Sequence, residues 1–159
     1  IFPGVVEFLE SSTAAYLGDG NNRLPYVYAG DVAEACILGA TREEATGRIY
    51  NVASDEKVTQ RSLFEAVAAA AGLKPPARAA PFPAIYAAAF LMEAWCALNG
   101  RRSRPSLTRF SVNVLALDYR EDCSRIRREL GWEPTVPLLE AIQRAAEASN
   151  RRRPELARG

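Results

Sequence analysis

Between residues 24 and 53 the chain reads as strand, helix, strand, and that order leaves few architectures open. Residues 24–29 and 48–53 are short β-rich runs, the second carried by Ile49, Tyr50 and Val52. Between them Gly30 or Asp31 caps a helix reaching about Thr41, with Val32, Ala35, Cys36 and Leu38 on its apolar face. Strands joined through a helix lie parallel in one sheet, so the expectation is an α/β, doubly wound fold. A helix precedes this unit, with Phe2, Val5, Val6 and Leu9 at helical spacing and Pro3 in its first turn. Residues 14–17 form a further short strand, which leads into the Gly18-Asp-Gly-Asn-Asn22 turn.

Beyond residue 55 the pattern becomes mainly helical. Thr59 is placed to cap a helix through Ala71, closed by Gly72 and followed by Pro75-Pro76. Residues 82–98 make a second helix, apolar nearly all round, with Glu93 its one charge. Its 17 residues and internal proline make it short for a membrane span. All-round apolarity favours a core helix. A helix lining a substrate pocket, or one resting on a membrane through Phe90, Trp95 and the arginines that follow, are the other readings. Ser106 or Thr108 caps a third helix toward Leu117, Asp122 caps a fourth ending at Gly131, and a last helix runs over 138–148.

Composition narrows the function by exclusion. At 159 residues, 48% hydrophobic and 25% charged, the chain can bury one sizeable core. A net charge of +1 exerts no general pull on nucleic acid, and acidic residues interleave with the arginines of 125–128, so no nucleic-acid partner is expected. There is no histidine, and Cys36, Cys96 and Cys123 lie far apart, which argues against a zinc site and removes the usual neutral-pH base. The odd cysteine count, without a secretory signal, points to reduced thiols and a cytoplasmic protein.

Two catalytic signatures of nicotinamide enzymes are absent from the chain. The six tyrosines are followed four places later by Gly20, Gly30, Val32, Ser54, Phe90 and Cys123, so there is no Tyr-x-x-x-Lys. Gly18 and Gly20 make a Gly-x-Gly, but Arg23 stands where the third glycine of the dinucleotide fingerprint belongs. A polar turn between strands is the simpler account of those glycines.

Several blocks in order carry a resemblance. They are Gly18-Asp-Gly-Asn-Asn22, Tyr26-Val-Tyr-Ala-Gly-Asp-Val-Ala-Glu-Ala35, Gly47-Arg-Ile-Tyr-Asn-Val-Ala-Ser54, Val58-Thr-Gln-Arg-Ser-Leu-Phe64, Pro105-Ser-Leu-Thr-Arg109, Asp122 through Pro134 and Val136-Pro-Leu-Leu-Glu-Ala-Ile142. Together they resemble the C-terminal part of the extended short-chain dehydrogenase/reductases, the NAD-dependent epimerase/dehydratase superfamily. That resemblance implies a parent oxidoreductase binding NAD or NADP, with its catalytic tyrosine and lysine upstream of Ile1. No cofactor is expected to bind this chain alone. It also implies three parts: 1–55 as the tail of the Rossmann core, 56–150 as a helical substrate-binding lobe, and 151–159 as a disordered basic tail. The expected partners are a small-molecule substrate, the missing N-terminal Rossmann half and a second copy in a homodimer. Membrane association is the less favoured reading, because in the superfamily the 82–98 region contributes to the substrate lobe.

Within the superfamily, nucleotide-sugar enzymes resemble Arg-Asp-Phe where this chain, aligned on Asp31-Val32-Ala33, has Leu24-Pro25-Tyr26. A diphosphate anchor calls for a guanidinium there. Arg23 falls one place early, on the opposite face of a strand. The turn and the Pro-Ser-Leu-Thr-Arg block are more similar to the 3β-hydroxysteroid dehydrogenase and dihydroflavonol reductase branch. That branch implies a secondary alcohol or ketone on an apolar, ring-bearing substrate, with Phe2, Leu24, Tyr26, Phe82, Tyr86 and Phe90 as its candidate contacts. A nucleotide-sugar epimerase or dehydratase, and a catalytically dead ligand-binding relative, are the rivals.

Overall fold

The computed structural model describes residues 2–98 and 107–156. Helix α1 (Phe2–Glu10) forms where the apolar spacing predicts it and buries Leu9. Helix α3 (Gln60–Ala71) and helix α7 (Leu138–Leu156) pack against it. Their shared core holds Leu9, Tyr16, Val58, Phe64, Val67 and Leu138, with the Phe64 ring 5.4 Å from Phe8 and 5.9 Å from Tyr16. The bounds of α3 were legible in the sequence. The Thr59 hydroxyl accepts the Ser62 N–H at 3.1 Å, and Ser62 Oγ accepts the Thr59 N–H at 2.8 Å, a reciprocal cap. Gly72 then closes the helix in the left-handed region, at φ 69°.

A second core joins helix α2 (Ala29–Thr41), the short 3-10 turn Glu43–Ala45 and helix α6 (Ser124–Leu130). Trp132 is 1% exposed here, and its indole N–H donates to the Asp31 carbonyl at 2.9 Å. The capping expectation for α2 is corrected. Tyr28 occupies the cap position without a side-chain bond, and Asp31 lies in the first turn. Its carboxylate is taken up by the far end of the chain, accepting from Thr135 Oγ1 at 2.8 Å, Thr135 N at 3.2 Å and Val136 N at 3.3 Å. Asp122 is likewise one place before the cap of α6, which is Cys123, although its Oδ1 accepts the Ser124 N–H at 2.8 Å.

The sheet differs most from expectation. Strand β1 (Tyr16–Leu17) pairs in parallel with strand β2 (Ala79–Ala80), in the register Tyr16 to Ala79 and Leu17 to Ala80. Residues 24–29 and 48–53 form no ladder among the described residues. Isolated bonds tie them down instead: Leu24 N–H to the Val58 carbonyl at 2.8 Å, and Ser54 N–H to the Tyr26 carbonyl at 2.7 Å. Strand propensity favours an extended backbone, but a ladder needs a neighbour offering successive donors and acceptors. Ile49, despite its strand propensity, is 86% exposed.

Helix α4 (Phe82–Leu98) has the predicted bounds but not the predicted burial. It packs on helix α5 (Arg109–Ala116), capped by Thr108 and Ser111 in the same reciprocal manner as α3. Ala89 alone is buried on α4, so it is not a core helix among the described residues. Its length offers no help, since no described helix is long and apolar enough to cross a membrane. At the other end of the chain, α7 continues to Leu156, past the expected stop at Ala148 and into the segment expected to be disordered. Arginine is a good helix former, so the Arg151–Arg153 run extends the helix. Ser106, the Arg101–Arg104 cluster and residues 157–159 lie outside the described residues.

Candidate functional site

The end of β1 runs into a turn held by its own side chains. The Asn21 backbone N–H and amide donate to the two Asp19 carboxylate oxygens at 2.9 and 3.0 Å. Those bonds keep the Asp19 carboxyl below its usual range, so it carries a charge at neutral pH. Gly20 has φ 73°, and a Cβ there would lie 3.0 Å from the Tyr16 ring, so the turn accepts no larger residue without a shift of that ring.

Two amides fasten this turn to the end of α5. Gln60, only 1% exposed, accepts the Leu17 N–H through Oε1 at 2.7 Å and donates through Nε2 to the Leu115 carbonyl at 3.3 Å. Asn22 donates to the same carbonyl at 2.6 Å. The result is an open cleft of about 300 Å³ lined by Leu17, Gly18, Asp19, Asn22, Phe82, Ala116 and Leu117. Its walls are apolar carbon on the strand, α4 and α5 sides, with Asp19 as the charged lining residue. Gln60 was not singled out from the sequence. The available signal was an amide directly after a capping threonine, where a helix start leaves side chains free to reach neighbouring backbone.

The six residues proposed from the sequence do not converge on one wall. Phe82 lines the cleft, and the Tyr86 ring lies 5.5 Å from it, one turn along α4. Phe90 is a further turn away, 49% exposed, with the Arg109 guanidinium 5.2 Å above its ring. Leu24 is buried. Tyr26 packs on the α1–α3–α7 core and donates its hydroxyl to the Val136 carbonyl at 3.3 Å. Burial pushes its phenol up to about 12, with the Glu56 and Asp31 carboxylates adding to the shift, so it keeps its proton at neutral pH. Phe2 lines a separate groove of about 280 Å³ formed with Val6, Glu7, Ala70 and Ala146, between α1, α3 and α7.

Neither a diphosphate anchor nor a dinucleotide cradle is built from the described residues. The Arg23 guanidinium donates to the Asp55 carbonyl at 2.9 Å, and its backbone N–H donates to Asp118 Oδ1 at 2.7 Å. The Gly18–Gly20 turn follows a strand but leads into extended chain, and the room beside Gly20 is taken by Tyr16. A pyrophosphate cradle instead needs a glycine turn opening a helix, with free N–H groups at its start. No cluster of three or more potential metal ligands occurs among the described residues.

Against known proteins, residues 2–53 match the model of the "NAD dependent epimerase/dehydratase family". That N-terminal segment of the chain is similar to the family. It is similar to the protein YbjS of Escherichia coli, 32% identical over 103 residues, covering 64% of this chain and 29% of YbjS. It is 26% identical over 153 residues to the 2-alkyl-3-oxoalkanoate reductase of Stenotrophomonas maltophilia, covering 94% of this chain and 46% of the reductase. The sterol-4-alpha-carboxylate 3-dehydrogenase ERG26 of Candida albicans is 25% identical over 151 residues, with 89% and 43% covered. Among solved structures, gox2253 superposes with a TM-score of 0.61 at 26% identity, covering 96% of this chain and 43% of that one. The UDP-glucose 4-epimerase of Thermotoga maritima gives a TM-score of 0.59 at 21% identity, with 93% and 39% covered, and shares the fold. The UDP-glucuronic acid 4-epimerase of Bacillus cereus, solved with NAD, gives 0.55 at 14% identity, with 87% and 35% covered. The chain spans less than half the length of these relatives. The α/β class expected from the sequence therefore holds: this is part of a Rossmann-type fold with a large helical share.

Proposed function

We propose that the chain is the substrate-binding part of an NAD(P)-dependent oxidoreductase acting on a secondary alcohol or ketone of an apolar, ring-bearing molecule. The observation that carries this reading is the cleft, whose Leu17, Phe82, Ala116 and Leu117 walls are apolar and whose lining contains no cation. The position that carries arginine in nucleotide-sugar enzymes is the buried Leu24, and the neighbouring Arg23 is committed to Asp55. A ring buried on such walls gains about 25 cal/mol per Å² of apolar surface. A diphosphate would forgo charge-assisted bonds of roughly 1.5–3 kcal/mol each and would face the Asp19 carboxylate. The name of the similar sterol dehydrogenase supports a ring-bearing alcohol, and that of the similar reductase supports an apolar ketone without a ring.

In this reading residues 1–55 complete a cofactor-binding core and 56–150 form the substrate lobe. NAD or NADP and the catalytic tyrosine–lysine pair belong to the rest of the protein, which works in the cytoplasm as a homodimer. The residues present do not form a cofactor cradle, so they act by shaping and drying the substrate end of the site.

Two measurements test this. Calorimetric titration of this chain with NAD and NADP is expected to show no micromolar binding, and a saturable micromolar isotherm would contradict the division of labour. Turnover by the full-length enzyme is expected with a steroid or flavonoid-like alcohol and not with UDP- or dTDP-sugars. Conversion of a nucleotide sugar, with none of the apolar alcohol, would overturn the substrate class.

A further inference from the structure

We propose that the cleft between β1, α4 and α5 selects a substrate carrying a hydroxyl remote from its reacting carbon, and that Asp19 accepts the hydrogen bond of that hydroxyl. This selection rests on the reading of an apolar, ring-bearing substrate and adds the polar group such a substrate carries. The polar side chains of the lining are Asp19 and Asn22, and neither has a donor to spare. The Asn22 amide N–H groups go to the Leu115 carbonyl at 2.6 Å and the Leu117 carbonyl at 3.4 Å, which leaves its Oδ1 to accept. The two Asp19 oxygens each accept one bond from Asn21, at 2.9 and 3.0 Å, and a carboxylate oxygen has room for a second. Those bonds hold the carboxyl below its usual range, so at neutral pH it accepts and does not donate. Backbone donors around the cleft are spent as well: Leu17 N–H on Gln60 Oε1 at 2.7 Å, and Gly18 N–H on the Ala80 carbonyl at 2.9 Å. A ligand group that bonds to these side chains must therefore donate.

A neutral hydroxyl suits this acceptor better than an ammonium group. The Arg61 guanidinium, 4.3 Å from the centre of the Tyr16 ring, donates to the Asp19 backbone carbonyl at 3.0 Å. It is not part of the lining, and its charge already favours the Asp19 carboxylate. Its pairing with Glu65, at 3.8 Å between exposed groups, offsets that charge only in part. A second cation on Asp19 would be repelled by Arg61, whereas a neutral O–H meets chiefly the pull of the carboxylate. A carbonyl oxygen fares worse than either, because it sets one acceptor against another and loses its own bond to water. The remaining side chains of the lining, those of Leu17, Phe82, Ala116 and Leu117, are apolar and take ring carbon.

The test is equilibrium dialysis of the full-length enzyme with steroids that share one ring system. Androstenediol carries a second hydroxyl, dehydroepiandrosterone carries a carbonyl in its place, and the amine analogue of androstenediol carries an ammonium group there. Androstenediol is expected to bind about tenfold more tightly than dehydroepiandrosterone, with the amine between them. Asp19→Asn, its fold checked by urea titration, offers an amide N–H to the carbonyl and should bring that ratio to one or reverse it. Asp19→Ser keeps a side-chain oxygen to accept the Asn21 N–H and should bring the ratio near one, which covers the case of an unstable Asp19→Asn. Equal or tighter binding of dehydroepiandrosterone by the wild-type enzyme would overturn the role of Asp19 alone. Tightest binding of the amine, or a ratio that survives both variants, would do the same. Binding of none of the three steroids would instead overturn the apolar-ring reading, and the hydroxyl with it.

Discussion

Helices α3 and α4 differ in a direction opposite to their compositions. α3 carries Arg61 and Glu65 and still buries Gln60, Phe64, Val67 and Ala68. α4 carries Glu93 as its one charge and buries Ala89 alone. The more apolar helix is the less buried. Each helix forms for local reasons, through its cap and its helix-forming residues, but burial depends on what other parts of the chain bring to its face. α3 meets α1 and α7 on its apolar side, whereas α4 packs mainly on α5 among the described residues.

Removing a large side chain from a buried core and from the exposed side of α4 tests what burial contributes most severely. Trp132→Ala is expected to lose about 3–5 kcal/mol of unfolding free energy in urea titrations, from the cavity left in the α2–α6 core and the indole bond to Asp31. A loss below about 1 kcal/mol would mean that this core tolerates collapse. Asp31→Ala comes next, at about 1–3 kcal/mol, because the Thr135 and Val136 donors lose the buried carboxylate that accepts from them. Thr135→Val in that background should then cost little. A fully additive second loss would break the idea that one carboxylate closes the chain's two ends together.

A smaller effect depends on pH. The folded-state pKa of Tyr26 is about 12, above its ordinary 10. Its contribution is therefore complete below pH 10 and is lost as pH rises through about 12. Tyr26→Phe should flatten the decline of stability in that window, read from urea midpoints at successive pH values. An unchanged decline would place the alkaline sensitivity elsewhere. The smallest expected effect is on α4 itself. Trp95→Ala should change stability by no more than about 0.5 kcal/mol, since that side chain is 64% exposed. A loss comparable with that of Trp132→Ala would show that α4 is as much part of the folding core as α2 and α6.

The helices were largely legible because their signals are short-range. Thr59 with Ser62, Thr108 with Ser111, and the closing glycines at 72 and 131 each act within a turn of their own position. The strands were not. Pairing of Tyr16–Leu17 with Ala79–Ala80 joins distant segments, and two alanines carry no strand signal. Asp31 misled for a related reason: an aspartate beside a helix start suits a cap, yet its acceptor oxygens serve Thr135 and Val136. At the candidate cleft, Phe82 could be named from its place on an apolar helix. Gln60 could not, because its two bonds run to Leu17 and Leu115.

The sequence by itself determined the resemblance to the family, the caps of α3 and α5, the closing glycines of α3 and α6, and the missing dinucleotide and catalytic signatures, all of which depend on neighbouring residues. The tertiary structure decided which apolar faces are covered, which polar side chains are engaged, and that Phe2 and Phe82 line different cavities. Those outcomes are set by contacts between segments far apart in the chain, and residue type at one position carries no record of what folds against it.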